Sequence, residues 1–304
     1  MLEVKNLSKS FGDLRAVADV SFRVDSGAIF GLLGPNGAGK TTIISCICGL
    51  LTPSSGEIRF MDGEASEKRS LGIVPQELAL YDELSASENL EYWGGVQGMR
   101  GARLRRRIGD VLHEIGLQDR AKEPIRRFSG GMKRRLNFAC GIIHEPEALL
   151  LDEPTVGVDP QSRVRLLELV REQAARGCAV LYTTHYMEEA ESLCDRLAII
   201  DHGRLMAQGA LHELRALLAE RDLLRLAGAF PVEPCRAALT GVSSVEILAV
   251  SDSQLVLAVT HASARLPELF ATIAAAGGQI RGTTLTEPSL ESLFIKLTGK
   301  ELRE

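Results

Sequence analysis

Gly34-Pro35-Asn36-Gly37-Ala38-Gly39-Lys40-Thr41 is the stretch on which the reading of this 304-residue sequence turns. It fits G-x-x-x-x-G-K-[ST] at every fixed position. Glycines at these places let backbone N–H groups wrap closely around phosphate oxygens, and a helix that starts at the end of the loop adds the positive end of its dipole. Lys40 is then placed to neutralise β- and γ-phosphates, and the Thr41 hydroxyl to ligate Mg²⁺. The flanks agree with this. Ala28 to Leu33 is a continuous apolar run, as expected of a strand buried on both faces. The pattern after the loop predicts a helix from about Lys40 to Leu51. The motif therefore falls between a buried strand and a helix, where its chemistry requires it.

Working outward, Ala148-Leu149-Leu150-Leu151 runs into Asp152-Glu153. A hydrophobic strand that ends in an acid delivers the carboxylate to the edge of a sheet, where a phosphate-bound metal would wait. Asp152 is thus expected to be the metal-side acid. Glu153, one residue further, can orient and deprotonate an attacking water. An Asp-Glu pair alone reads as a solvated turn, and the complete phosphate loop is what changes that reading.

The remaining pattern sets the architecture. Ala18, Val20, Phe22 and Val24 alternate with polar residues, the period of a half-buried strand. Ser85-Ala86-Ser87-Glu88 has capping-box spacing and opens a mostly helical stretch up to about His144. Ala179 to Thr183 is another short apolar run, separated from Ala148–Leu151 by an amphipathic helix near Ser162–Ala175. Strands alternating with helices predict an α/β fold with a mainly parallel sheet. After about Glu220 the character changes. Strands near Leu223–Leu226, Val245–Val250, Leu255–Val259 and Gln279–Leu285 interleave with helices near Glu233–Leu239 and Leu266–Ile273. Ser251-Asp252-Ser253 marks a hairpin, and a last amphipathic helix lies between Ser289 and Gly299. The order βαββαβ plus a helix predicts a small α+β ferredoxin-like domain. The expected division is 1–219 and 220–304.

Composition narrows the function. A net charge of −5 argues against a chain built to bind nucleic acid. No apolar run approaches the roughly 18–20 residues of a membrane-spanning helix, and the N-terminus lacks a signal-peptide core. A cytoplasmic chain is expected. Six cysteines show no metal-ligand spacing and read as small buried hydrophobes. Arg103, Arg105, Arg106 and Arg107 read as a solvated helix face.

Over about residues 2–218 the chain resembles the ABC transporter ATPases, whose fold is the P-loop NTPase with a helical subdomain, here expected at about 85–145. Phe128-Ser129-Gly130-Gly131-Met132 is similar to the family's LSGGQ signature, with Phe and Met replacing Leu and Gln. The resemblance implies that Ser129, Gly130 and Gly131 bind a γ-phosphate, and that Met132 lacks an amide able to touch the nucleotide sugar. It implies ATP and Mg²⁺ as cofactors, held by Gly34 to Thr42, the loop ending in Lys40, Thr41 and Thr42. Phe11 resembles the aromatic that stacks on adenine, with a core Phe as the alternative. Gln76, in Val74-Pro75-Gln76-Glu77, resembles the glutamine that touches Mg²⁺ and water and senses a membrane partner. Asp159 resembles the aspartate that crosses a dimer seam, and His185 the switch histidine on the γ-phosphate. The implied mechanism is a sandwich homodimer in which each ATP lies between the Gly34–Thr42 loop of one subunit and Ser129–Gly131 of the other.

Ser129 to Arg135 and the tail Pro288-Ser289-Leu290-Glu291-Ser292-Leu293-Phe294 are similar to the branch that pairs with ABC-2-type membrane subunits and mostly exports its cargo. The implied place is the cytoplasmic face of the membrane, beside a separate permease. An import role stays open within the class, and the tail favours export. The domain after Glu220 is expected to hold two motor subunits together or adjust their opening, with a packing extension as the alternative.

Overall fold

The computed structural model describes residues 1–60, 71–217, 221–286 and 289–298. Pro288 of the tail, Gly299 as the expected stop of the last helix and the expected boundary at 219–220 lie outside the described residues. The chain divides into two compact units, Met1–Met206 and Ala207–Glu304.

In the first unit the elements run β1 (Leu2–Phe11), β2 (Leu14–Val24), β3 (Ile29–Leu33), α1 (Lys40–Ile47), β4 (Ser55–Phe60) and β5 (Leu71–Val74). Then follow α2 (Ala86–Val96), α3 (Gly101–Glu114), α4 (Gly130–Ile142), β6 (Ala148–Asp152), α5 (Pro160–Ala175), β7 (Ala179–Thr184), α6 (Met187–Leu193) and β8 (Arg196–Asp201). A further strand, β9 (Arg204–Gly209), completes a six-stranded sheet of order β5-β6-β7-β3-β8-β9. The pairs β5–β6, β6–β7, β7–β3 and β3–β8 are parallel. Every residue of β3, β6 and β7 is buried, which is why these strands read as unbroken apolar runs.

A separate antiparallel sheet of order β2-β1-β4 covers α1. Leu7, Val17, Val20 and Phe22 join Phe30, Leu32 and Ile43 in one apolar cluster. The register of β1 shifts repeatedly, and Asn6 and Asp19 have positive φ. These bulges break the period-two alternation that would have marked β1 in the sequence. On the other side of the large sheet, Leu90, Leu104, Val111, Ile115, Leu136 and Phe138 form the core of the helical region. The capping box of α2 is formed as expected. The Ser85 backbone N–H donates to Glu88 Oε2 at 2.7 Å, and the Glu88 backbone N–H donates to Ser85 Oγ at 3.3 Å.

The arginine cluster on α3 departs from the sequence reading at one position. Arg103, Arg105 and Arg106 are exposed, but Arg107 turns inward. Its guanidinium donates to the carbonyls of Ile142 and Ile143, both at 3.2 Å. A cation at the end of α4 satisfies carbonyls that have no partner in their own helix. All six cysteines are free, four of them buried and two half-buried. Burial pushes the Cys48 and Cys178 thiols up to about 12, so both stay neutral.

The second unit carries α7 (Leu211–Ala216), β10 (Arg221–Ala229), α8 (Val232–Thr240), β11 (Val245–Val250), β12 (Gln254–Thr260), α9 (Ala262–Ala275), β13 (Gln279–Thr286) and α10 (Leu290–Thr298). The sheet order β11-β12-β10-β13, antiparallel throughout, is the ferredoxin-like interleaving of two split βαβ units. Leu224, Leu226, Leu255 and Leu257 pack with Cys235, Leu239, Leu269 and Ile273 of α8 and α9. Ile295 of α10 packs with Leu223 and Val256, which leave β10 and β12 on the opposite side. Ser251 closes the expected hairpin, its N–H donating to Gln254 O at 2.8 Å.

Ser85→Ala removes one reciprocal bond of the capping box. It should cost about 1 kcal/mol. In a unit of this size that corresponds to a fall in Tm of about 2–4 °C, read by thermal denaturation.

Candidate active site

The sheet order brings three strand ends together. β3 lies beside β7, and β7 beside β6, with Leu33 opposite Thr184 and Asp152 opposite Thr183. The loop after β3, the Asp152-Glu153 step after β6 and His185 after β7 therefore meet at the carboxyl edge of the sheet, where open α/β sheets bind ligands.

The loop is shaped by its glycines. Gly39 precedes α1 with φ of 103°, and a Cβ there would meet Ala16 O at 2.6 Å. Both the left-handed backbone and the close approach of the β2 backbone demand glycine. Ala38 N–H donates to Pro35 O at 3.1 Å, which turns the chain, and Gly203 N–H donates to Ala38 O at 3.0 Å from below. Gly37 also has positive φ and open space around it. Thr41 is exposed and Thr42 half-buried in the first turn of α1.

Lys40 reaches back into the loop. Its ammonium donates to Gly34 O at 2.6 Å and Pro35 O at 3.0 Å, and pairs with Glu153 Oε1 at 2.9 Å. The two side chains are only 4% and 6% exposed. The second oxygen of Glu153 lies 3.1 Å from Nδ1 of His185. Glu153 itself has φ of 44°, a left-handed conformation that bulky residues seldom adopt. Thr183 holds the acidic step in place. Its hydroxyl donates to Asp152 Oδ1 at 2.7 Å and accepts the Glu153 N–H at 3.0 Å. Thr183 is the site residue that motif reading passed over, since its part emerges only when β6 and β7 are paired in register.

A second cluster forms at the starts of α4 and α5. Ser129 caps α4, its Oγ accepting the Met132 N–H at 3.3 Å. Asp159 caps α5, its Oδ1 accepting the Ser162 N–H at 2.9 Å. That bond, and one from the Ser162 side chain, hold the Asp159 carboxyl below its usual range. Gly131 is the contact between them, because a Cβ there would overlap the Ser162 side chain and stand 3.0 Å from Asp159 Oδ2. Gly130 has nothing within 4 Å of such an atom.

Phe11 belongs to neither cluster. It is 47% exposed near the tip of the β1–β2 hairpin, with the Lys9 ammonium 5.1 Å from its ring centroid, so it is not a core residue. Gln76 is exposed after β5, and its carbonyl accepts from Arg134, which also donates to Val156 O at 3.0 Å. Among the described residues, no group of His, Cys, Asp and Glu side chains forms a ready-made metal cage. A hard cation here would have to draw oxygens from Thr41, Asp152 and bound phosphates, which is how Mg²⁺ is usually held beside a nucleotide. The glycine cradle and the buried ammonium fit a nucleotide triphosphate.

A phosphate cradle between a buried parallel strand and a helix, with an Asp-Glu step on a nearby strand, defines a P-loop ATPase. Residues 17–156 match the family model described as ABC transporter. The linearmycin resistance ATP-binding protein LnrL of Bacillus subtilis (strain 168) is 41% identical, with all of both chains covered. The Nod factor export ATP-binding protein I of Sinorhizobium fredii (strain NBRC 101917 / NGR234) is 38% identical over all of this chain and 87% of its own. A solved structure of an ATP-binding subunit of an ABC transporter superposes with a TM-score of 0.65 at 36% identity, over 72% of this chain and 93% of the other. The chain belongs to the ABC transporter family, as an ATPase subunit that hydrolyses ATP to drive transport.

Gly131→Ala should force the starts of α4 and α5 apart and cost about 1–3 kcal/mol. Gly130→Ala should stay within about 0.5 kcal/mol of the native chain. Thermal or denaturant melts of the two variants check the contrast.

Proposed function

We propose that this chain powers export of a substrate through a separate ABC-2-type permease, working as a homodimer at the cytoplasmic face of the membrane. Gly34 to Thr42 cradle the ATP phosphates, Thr41, Asp152 and Gln76 attend Mg²⁺, and Phe11 stacks on adenine. Ser129, Gly130 and Gly131 of the second subunit close over the γ-phosphate, and Asp159 crosses the seam. Glu153 orients and deprotonates water while His185 contacts the γ-phosphate. Catalysis by this set is positioning and charge neutralisation around the transferred group.

The observation that carries this reading is the contact of Lys40 and His185 with the two oxygens of one Glu153 carboxylate, at 2.9 and 3.1 Å. An acid held between the phosphate-loop lysine and a histidine on the next strand end is placed to act where phosphate and water meet. That Ser129 and Asp159 cluster apart from this network supports a site completed by a second copy. Residues 1–219, with a helical part at about 85–145, form the motor in this reading. Residues 220–304 are an accessory domain that holds two motors together or tunes their opening.

Export is supported by the roles of the similar proteins, one in linearmycin resistance and one in Nod factor export. The permease contact is proposed at the exposed apolar side chains Leu78, Tyr81, Tyr92 and Val96, beside the Gln76 loop. Tyr81 and Tyr92 meet edge to face at 4.8 Å, while Trp93 is anchored by its indole N–H on Ala79 O at 2.9 Å. Exposed aromatics beside a half-buried, hydrogen-bonded tryptophan are typical of protein contacts. Among the described residues no helix is long and apolar enough to cross a membrane.

Glu153→Gln should lower steady-state ATP hydrolysis by about 10²-fold or more yet give a stable dimer in Mg-ATP by light scattering. A variant that stays monomeric with Mg-ATP bound would count against the composite site. Replacing Tyr81 and Tyr92 by Glu should abolish co-purification with the membrane subunit encoded for this transporter and leave ATP-dependent dimerisation of the chain intact.

A further inference from the structure

β7 ends in Tyr182-Thr183-Thr184, and His185-Tyr186 leads at once into α6. The helix has only seven residues, and its N-cap, Tyr186, makes no side-chain capping bond. The turn that carries His185 therefore lacks the usual local lock of a helix start. Glu189, one turn into α6, supplies another. It is 3% exposed, and its Oε2 accepts the Tyr182 hydroxyl at 2.8 Å and the Thr184 hydroxyl at 3.0 Å. The Thr184 oxygen in turn accepts the Tyr186 N–H at 2.9 Å. The residues immediately before and after His185 are thus tied to a single carboxylate oxygen.

The other oxygen, Oε1, lies 3.5 Å from Nε of Arg163 on α5. The Arg163 guanidinium stacks over the Tyr186 ring at 4.7 Å, and that ring stands 4.2 Å from the His185 imidazole. Four groups on three elements converge on the turn from one side, while Glu153 meets the imidazole from the other. Glu189 touches none of the phosphate-loop groups. A role in packing alone would suit a leucine or methionine better, because a buried carboxylate must recover its lost hydration from well-aimed donors. Burial, together with the neighbouring Glu189 charge, raises the Tyr182 phenol well above its ordinary range, so it is a permanent donor.

We propose that Glu189 is a positioning residue for ATP hydrolysis: through Thr184 it fixes the Thr184–Tyr186 turn and holds the His185 imidazole against Glu153. This rests on the reading of His185 as the group that contacts the γ-phosphate, and the test separates the two. Single-turnover and steady-state hydrolysis of the full chain are measured across Mg-ATP concentrations, with ATP binding, for H185A, E189A, E189Q, T184V and H185A/E189A.

Misplacing the imidazole by about 1 Å should lower kcat about 10–100-fold in E189A and T184V, with KM and ATP affinity within about 3-fold of native. E189Q keeps an oxygen able to accept both hydroxyls, and should return to within about 3-fold of the native kcat. In the H185A background, E189A should cost less than about 2-fold more, because both changes remove the same interaction. If H185A itself keeps the native kcat, the reading of His185 fails and this proposal falls with it. If H185A lowers kcat while T184V retains the native kcat, or E189A multiplies fully onto H185A, Glu189 has no positioning role. Should E189A fail to fold, T184V, which keeps the shape of the side chain, decides the matter.

Discussion

The buried ion pair of Lys40 and Glu153 is the constraint around which the first unit is arranged. Taking both charges out of water costs several kcal/mol per ion, so the pair is weak evidence for stability and strong evidence for purpose. It exists because two strands that are not adjacent in the sheet, β3 and β6, end at the same edge with β7 between them. The Gly34 and Pro35 carbonyls satisfy the rest of the ammonium. Thr183 fixes the backbone of the acid, and His185 takes its second oxygen. Each partner comes from a different part of the chain, and each is delivered by a buried parallel strand whose register leaves little freedom.

The same geometry underlies the proposal that the site is completed by a second copy. The network around Lys40 has an acid, a histidine and a phosphate cradle, but the helix start at Ser129–Gly131 belongs to another cluster, built with Asp159 and Ser162. The backbone N–H groups of a helix start, with the positive end of its dipole, favour an anion. In the proposed homodimer a second copy presents this helix start to the first copy's nucleotide.

α5 and α6 link these features inside one subunit. Asp159 caps the start of α5, and Arg163, in the first turn of the same helix, meets Glu189 beneath the His185 turn. The helix at the proposed dimer seam and the turn proposed to meet the γ-phosphate are therefore joined by an ion pair.

Much of this was legible in the sequence, and the reasons are local. The Gly34–Thr41 motif, the apolar runs of β3 and β6, the Ser85–Glu88 capping box and the βαββαβ order of the second unit all rest on spacing over a few residues. Short-range sterics and hydrogen bonding fix such features before the chain packs. β1 stayed hidden because its bulges break the alternation, and Arg107 because periodicity along α3 could not reveal the carbonyls it meets at the end of α4. Thr183 and Glu189 carry no motif at all. The sequence by itself determined which chemistry is present and on which elements it sits. Only the tertiary structure decided that Lys40 meets Glu153, that Thr183 holds Asp152, and that Glu189 lies beneath His185. The Lys40 and Thr183 contacts join residues 113 and 31 positions apart, which strand order and register bring within hydrogen-bonding range, whereas Glu189 reaches Thr184 from five positions away once β7 turns into α6.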